Sequence, residues 1–338
     1  MQAPILVTGA TGFLGRAIVA QAVSESVPIR TTGRRDPTGR LPSFLPVDLA
    51  DEQLTASQCD RLVQGTRCVI HAAGLAHQFD ATQDDFARFE RVNVSAPVRL
   101  AEAAARQGVE RFVHVSSIKV YNPDCPQPID ETTLRDPIGP YAQSKADAEA
   151  KLAEVAEQTG LEIVMLRMAV IYGEEDGGNV ARLIRAIDNK RFLMIGRGEN
   201  RKSLVFRDDA ARACLTVARS HTLPSSHRVY NISSDAVPMR DFVGAIYQAL
   251  GKRSPRLHIP TGYVCLPFAA LAKLPVPKVS RKAEKVSETL AKWLVDEAYD
   301  GTRFRQDFDF RYRVSLTEGI EREVAWYQLQ NQSELRAA

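Results

Sequence analysis

The apolar run Pro4-Ile5-Leu6-Val7 leads directly into Thr8-Gly9-Ala10-Thr11-Gly12-Phe13-Leu14-Gly15 and then into the helical pattern Arg16-Ala17-Ile18-Val19-Ala20. Strand, glycine turn, helix is the only economical reading of this order. A turn this tight needs residues without side chains, so that backbone can approach a diphosphate and the helix can pack on its strand. The helix N-terminus then offers free N–H groups and a partial positive charge to the anion. The spacing is G-x-x-G-x-x-G, and its place immediately after a first strand makes it a dinucleotide phosphate site. Gly9, Gly12 and Gly15, with Thr11, Phe13 and Leu14 between them, form the expected cradle.

Short β-like runs alternate with helical patterns through the first half, which predicts an α/β fold with a doubly wound parallel (Rossmann) sheet. A chain of 338 residues is long enough for such a domain plus a smaller one. Five scattered cysteines (Cys59, Cys68, Cys125, Cys214, Cys265) show no C-x-x-C pair, which fits a reducing, cytoplasmic setting. A net charge of +3 with interspersed signs argues against nucleic acid and for a small-molecule ligand. The chain opens with no signal-peptide pattern, and no apolar run nears the roughly 20 residues that span a bilayer. The apolar stretch 262–275 is broken by prolines and followed by Lys278, Arg281, Lys282 and Lys285. It reads either as a core helix of the second lobe or as a weak contact with a membrane surface.

The second strand and its exit loop, Pro28 to Arg35, decide the cofactor. An acid here holds the ribose 2′-hydroxyl of NAD, whereas arginine accommodates the 2′-phosphate of NADP. The strand closes without an acid and with Arg34 and Arg35, so NADP(H) is favoured over NAD(H), with Asp36 as the candidate for serving NAD. Leu45 to Leu49 reads as a third strand whose Asp48, beside Leu49, can accept from an adenine amine. Cys68 to Gly74 is a buried strand ending in Ala72, Ala73 and Gly74, small residues suited to backbone passing beside a cofactor. His71 within it reads as structural. Asp84 to Gln107 has helical apolar spacing, carries Asn93 and stops at Gly108.

The next strand, Phe112 to Tyr121, carries Ser116 and Ser117 at its carboxyl end, where ligands of open α/β sheets sit. After a proline-rich loop, Tyr141-Ala142-Gln143-Ser144-Lys145 opens a long helix ending near Gly160. The i, i+4 spacing puts Tyr141 and Lys145 one turn apart on one face. A tyrosine titrates near 10 in water, too high for a base at neutral pH. A neighbouring ammonium and a positive nicotinamide favour the phenolate. Tyr141 can then exchange a proton with a sugar or alcohol hydroxyl while the nicotinamide exchanges a hydride with the same carbon, Ser117 holding the substrate oxygen.

Taken together, these residues resemble the extended short-chain dehydrogenase/reductase superfamily, in its nucleotide-sugar epimerase/dehydratase branch. The resemblance runs over nearly the whole chain, through T-G-A-T-G-F-L-G, H-A-A-G, V-N-V, V-S-S, Y-A-Q-S-K, L-R-M-A-V-I-Y-G (166–173), D-D-A-A (208–211), Y-N-I-S-S (230–234) and the tail 315–327. It implies Ser117, Tyr141 and Lys145 as the catalytic set, and Gly9, Gly12, Gly15, Asp48 and Asn93 among the cofactor contacts. It implies a Rossmann domain of 1–172 plus 203–235 and a nucleotide-sugar lobe of 173–202 plus 236–338. In that lobe Asn179 resembles a substrate-contacting Asn, and Arg201 and Lys202 lie in a segment that resembles a phosphate-facing loop. A homodimer through helices around 84–107 and 141–159 is also implied.

Two activities fit the resemblance: 4-epimerisation of a UDP-hexosamine, and NADPH-dependent reduction of a 4-keto nucleotide sugar. A 4,6-dehydratase fits less well, since Ile118 and Lys119 stand where that branch has Asp-Glu. A cofactor-binding regulator without catalysis is disfavoured by the intact Ser, Tyr and Lys.

Overall fold

The computed structural model describes residues 3–75, 83–254, 258–263 and 294–337. Its centre is a seven-stranded sheet, all parallel, built from β1 (Ile5–Thr8), β2 (Ile29–Gly33), β3 (Phe44–Pro46), β4 (Cys68–His71), β5 (Arg111–Ser117), β6 (Glu162–Met168) and β10 (Val229–Ile232). The spatial order is β10-β6-β5-β4-β1-β2-β3. The chain therefore winds outward from β1 to β3 and returns to β1's other side with β4. This reversal opens a crevice at the carboxyl ends of β1 and β4, where ligands of such sheets bind.

Strands buried on both faces explain why Ile5–Val7 of β1, Cys68–Ile70 of β4 and Ile163–Leu166 of β6 read as apolar runs. One face packs Ile5, Val7, Ile70, Val113 and Val164 under α1 (Phe13–Ser24) and α7 (Arg207–Arg219). The other packs Leu6, Val69, Phe112, Ile163 and Met165 under α2 (Ala56–Val63), α4 (Ala96–Arg106) and α5 (Pro140–Thr159). The third strand is shorter than the sequence suggests: it ends at Pro46, and Asp48 lies in the turn beyond. A proline can sit there because β3 is the sheet's edge.

The helix expected over 84–107 is one helical run in three parts: α3 (Gln83–Phe89), a π-helical turn (Glu90–Ser95) and α4. The wide turn carries Asn93, and Gly108 ends the run with φ +70°. Helix α5 starts after Gly139 and stops at Gly160, whose left-handed φ of 74° spares it the strain of a side chain.

A separate core gathers α6 (Asn179–Asp188), α8 (Met239–Ala249) and α10 (Leu316–Ala337) around Val180, Ile184, Phe242, Ile246, Ile320 and Val324. Tyr172 from β7 (Val170–Tyr172) and Phe206 from β9 (Leu204–Phe206) join it, while β8 (Arg201–Lys202) pairs antiparallel with β11 (Val237–Pro238). Tyr299, Phe304 of α9 (Thr302–Asp307) and Phe310 instead pack into the first lobe's core beside Tyr230. No helix of the described residues is long and apolar enough to cross a membrane. Residues 264–293, with Cys265 and nearly all of the apolar and basic stretch singled out above, lie outside the described residues.

Candidate active site

The glycine turn leaves β1 with a left-handed Gly9 (φ +65°), where a Cβ would come within 2.7 Å of Ala73 N and 2.8 Å of Ala72 O. Gly12 N donates to Gly9 O at 2.8 Å, which closes the turn. Gly15 lies where α1 crosses this turn: a Cβ there would sit 1.9 Å from Gly9 O. Thr11, Phe13 and Leu14 complete the loop, and no acidic side chain occupies the helix's first turn. The free N–H groups and this absence of negative charge suit a diphosphate.

The partner wall comes from β4. Ala72 and Ala73 pass Gly9, Ala73 N donating to Thr8 Oγ1 at 3.2 Å. Thr8 Oγ1 also meets His71 Nδ1 at 3.0 Å, and burial keeps that imidazole neutral by lowering its pKa to about 3. His71 is thus structural, as the sequence suggests. A Cβ on Gly74 would meet Asn93 Oδ1 at 3.3 Å and Lys145 Nζ at 3.5 Å, so this glycine marks where the wall reaches α5. Asn93 is fully committed: Oδ1 accepts from Leu75 N (2.8 Å), and Nδ2 donates to Leu75 O (3.2 Å) and Ser144 Oγ (3.0 Å). Its π-turn is what turns the amide inward, and such turns recur at functional sites.

Beyond β2, Arg34 and Arg35 are exposed and make no ion pair among the described residues. Asp36 serves its own loop: Oδ1 accepts from Thr38 N (2.9 Å) and Thr38 Oγ1 (2.8 Å), Oδ2 from Leu41 N (2.9 Å). Asp48 is exposed and accepts from Ala50 N at 3.0 Å; Leu49 is buried, its carbonyl taken by Arg99 at 2.8 Å.

At the end of β5 the two serines part. Ser117 Oγ accepts from Lys119 N at 3.2 Å and shares a hydrogen bond with the Tyr141 side chain. Ser116 points to the opposite face, as successive strand residues must. Its hydroxyl donates to buried Glu149 Oε1 at 2.6 Å. The expectation that Ser116 contacts substrate is therefore corrected. Glu149 in turn holds Arg167 through contacts of 2.9, 3.2 and 2.5 Å, and Arg167 Nη1 donates to Tyr121 Oη at 2.6 Å. This buried network, absent from the sequence expectations, fixes β5, β6 and α5 together. One signal was available: Glu149 follows Lys145 by four residues on the same helix face.

Tyr141 stands edge-on to Phe89, ring centroids 6.2 Å apart, and lines a cavity of about 110 Å³ with Lys119, Ile138, Gly139, Pro140 and Ala142. A larger cavity lies at the opposite, amino end of the strands, beside Ile5 and Pro28, far from this chemistry. Lys145, 5% exposed, donates to Val115 O at 2.9 Å. Burial lowers its pKa to about 8, against the pull of Glu149. Burial raises Tyr141's pKa, against the Ser117 hydrogen bond. A lysine at about 8 sheds its proton before such a phenol does, so Lys145 alone does not bring Tyr141 into the neutral range. The expected phenolate needs a further positive charge at the ring, and a nicotinamide supplies one.

Among the expected substrate contacts, Asn179 is exposed at the start of α6, which Asp176 caps through Gly178 N at 2.7 Å. Arg201 N donates to Asp296 Oδ1 at 2.6 Å, and its guanidinium donates to Ala236 O. Lys202 Nζ is paired with Glu297 Oε2 at 3.0 Å. Among the described residues no cluster of three or more His, Cys, Asp or Glu could hold a metal ion.

Residues 5–233 match the model of the NAD dependent epimerase/dehydratase family. The N-acetyl-α-D-glucosaminyl-diphospho-ditrans,octacis-undecaprenol 4-epimerase of Escherichia coli O157:H7 is 25% identical over 331 residues, 95% of this chain and 94% of that one. The UDP-glucose 4-epimerase of Vibrio cholerae is 31% identical over 212 residues, 61% of this chain and 63% of that one. The UDP-glucuronic acid 4-epimerase of Bacillus cereus, solved in complex with NAD, superposes with a TM-score of 0.74 at 19% identity, covering 97% of this chain and 99% of that one. With the glycine turn, the Ala-Ala-Gly wall and the Ser-Tyr-Lys set meeting at one crevice, the chain belongs to the NAD dependent epimerase/dehydratase family.

Proposed function

We propose that the protein is a 4-epimerase acting on a hexosamine linked to a diphosphate, most simply a UDP-N-acetylhexosamine. The observation that carries the reading is the meeting of Ser117, Tyr141 and Lys145 at the carboxyl end of β5, beside the glycine turn. The names of the relatives support the substrate class, since each describes a sugar on a diphosphate and a reaction at C4. A nicotinamide dinucleotide held in this crevice would supply hydride exchange at that carbon. Gly9, Thr11, Gly12, Phe13, Leu14 and Gly15 hold the dinucleotide's diphosphate. Asp48 and Leu49 bound the adenine, while Ala72, Ala73, Gly74 and Asn93 form the wall leading to Lys145.

In this reading Ser117 Oγ holds the C4 oxygen, and Tyr141 Oη takes the hydroxyl proton as that carbon is oxidised and returns it as the carbon is reduced. Lys145 orients the dinucleotide, and its ammonium opposes protonation of the phenolate once the ring is charged. Arg201 and the segment around Asn179 grip the remote diphosphate, and that binding energy orients the sugar. The same chain forms a homodimer through α4 and α5.

One observation favours a second reading, NADPH-dependent reduction of a 4-keto sugar. Arg34 and Arg35 are free to take a 2′-phosphate and Asp36 is used up by its own turn, which supports NADP(H) over NAD(H). The test is the nucleotide recovered with the purified protein, together with NMR of UDP-N-acetylhexosamine interconversion. Recovered NAD and interconversion that Tyr141→Phe abolishes are expected. Full activity in Tyr141→Phe, with cofactor bound, would refute the assignment.

A further inference from the structure

Glu297 pairs with Lys119, which lines the same cavity as Tyr141, and it was not foreseen as part of the site. Its carboxylate is divided between two ammonium groups: Oε1 meets Lys119 Nζ at 2.6 Å and Oε2 meets Lys202 Nζ at 3.0 Å. Burial works to raise the Glu297 carboxyl, and the two lysines overcome it and hold it below its ordinary value. The three residues come from different parts of the chain. Lys119 lies on the 3₁₀ turn Ile118–Val120, its backbone N bonded to Ser117 Oγ, and it lines the cavity in front of Tyr141. Lys202 lies on β8 of the second lobe. Glu297 is stitched to β8 by its main chain, Glu297 N donating to Arg201 O and Ser203 N to Glu297 O, both at 2.8 Å.

We propose that Glu297 is a positioning residue that links diphosphate binding on β8 to the placement of Ser117. The proposal rests on the diphosphate-sugar reading above. One carboxylate serves two cations, so the trio carries a net charge of +1 in the crevice. A diphosphate arriving at β8 competes with Glu297 for Lys202. As Lys202 turns to the phosphate, Glu297 is left wholly to Lys119, and the turn that carries Ser117 is drawn to the second lobe. Binding energy gained at the phosphates is thereby spent on orienting the group that holds the reacting oxygen.

The test uses the full-length protein, UDP as the probe in calorimetry, and steady-state turnover of the sugar. Glu297→Gln, nearly isosteric, removes the negative charge that the two lysines share. UDP is expected to bind about tenfold tighter while kcat falls about tenfold, a split that loss of packing does not produce. In a Lys202→Met background the same change is expected to give no tightening, whereas a long-range charge effect would persist. UDP affinity unchanged or weaker in Glu297→Gln, or equal tightening without Lys202, overturns the proposal. Lys119→Met tests the link from the catalytic side: kcat falls about tenfold with the melting temperature unchanged, and an unchanged kcat overturns it. If the wild-type protein takes up no UDP, the nucleotide-sugar reading fails and the proposal with it. Wild-type binding without the Glu297→Gln shift defeats the proposal alone.

Discussion

Replacing Lys145 by Met should make the protein more stable and less active. The ordinary lysine value of 10.5 falls to about 8 in the fold because the ammonium is buried. A drop of two to three pH units corresponds to about 3 kcal/mol by which the fold disfavours the charged form at neutral pH. The unfolded chain binds the proton more tightly, so this penalty is complete below pH 8. It is relieved as pH rises from about 8 to 10.5, where native and unfolded forms are both neutral. Methionine removes the penalty but also the donor to Val115 O, a loss of roughly 1 kcal/mol. The net expectation is a variant about 2 kcal/mol more stable than the parent at pH 7. That advantage should shrink steadily above pH 8. Urea unfolding of both proteins at pH 7, 8, 9 and 10 measures it, with kcat read in parallel. A variant no more stable at pH 7, or an advantage independent of pH, would refute the argument that burial of this ammonium is a stability cost retained for function.

Gly15→Ala places a methyl carbon 1.9 Å from Gly9 O, and that oxygen belongs to backbone that cannot swing away. It should lose dinucleotide binding by at least a hundredfold in fluorescence titration, and a change under threefold would contradict the packing described. On the second reading, with NADPH, Arg34→Ala combined with Arg35→Ala should weaken NADPH binding at least tenfold and leave NADH within twofold, as measured by the same titration. Ser116→Ala removes a hydrogen bond to Glu149 but leaves Arg167 in place, so it should cost about 1 kcal/mol in urea unfolding. Its KM should stay within twofold, and a large rise in KM would restore Ser116 to the substrate site.

The parts of the site that were legible in the sequence are those set by local geometry. Glycines three apart, small residues closing β4 and a Tyr-Lys pair one turn apart each state their own constraint. The opposite directions of Ser116 and Ser117 also follow from strand geometry, yet two adjacent hydroxyls at a strand end look alike unless alternation is applied. The network of Glu149, Arg167 and Tyr121 was hidden, because its partners are separated by 18 and 46 residues. Glu297 lies 178 residues from Lys119, and nothing near either residue announces the other. The burial of the Tyr141–Lys145 pair was hidden for a related reason. Proximity was readable from the i, i+4 spacing, but burial, which lowers the lysine and raises the phenol, depends on the whole fold.

The π-helical turn at Glu90–Ser95 makes this site sensitive to chain length as well as to composition. A regular α-helix advances 100° per residue, so a π-turn is in effect one residue inserted into a continuing rod. Removing one residue of that turn other than Asn93 would let the rod close into uninterrupted α-helix and change the direction in which Asn93 is presented. Asn93 could then no longer keep both Leu75 and Ser144, although every other side chain of the crevice would be intact. A one-codon deletion there would accomplish what no single substitution at a neighbouring surface position can.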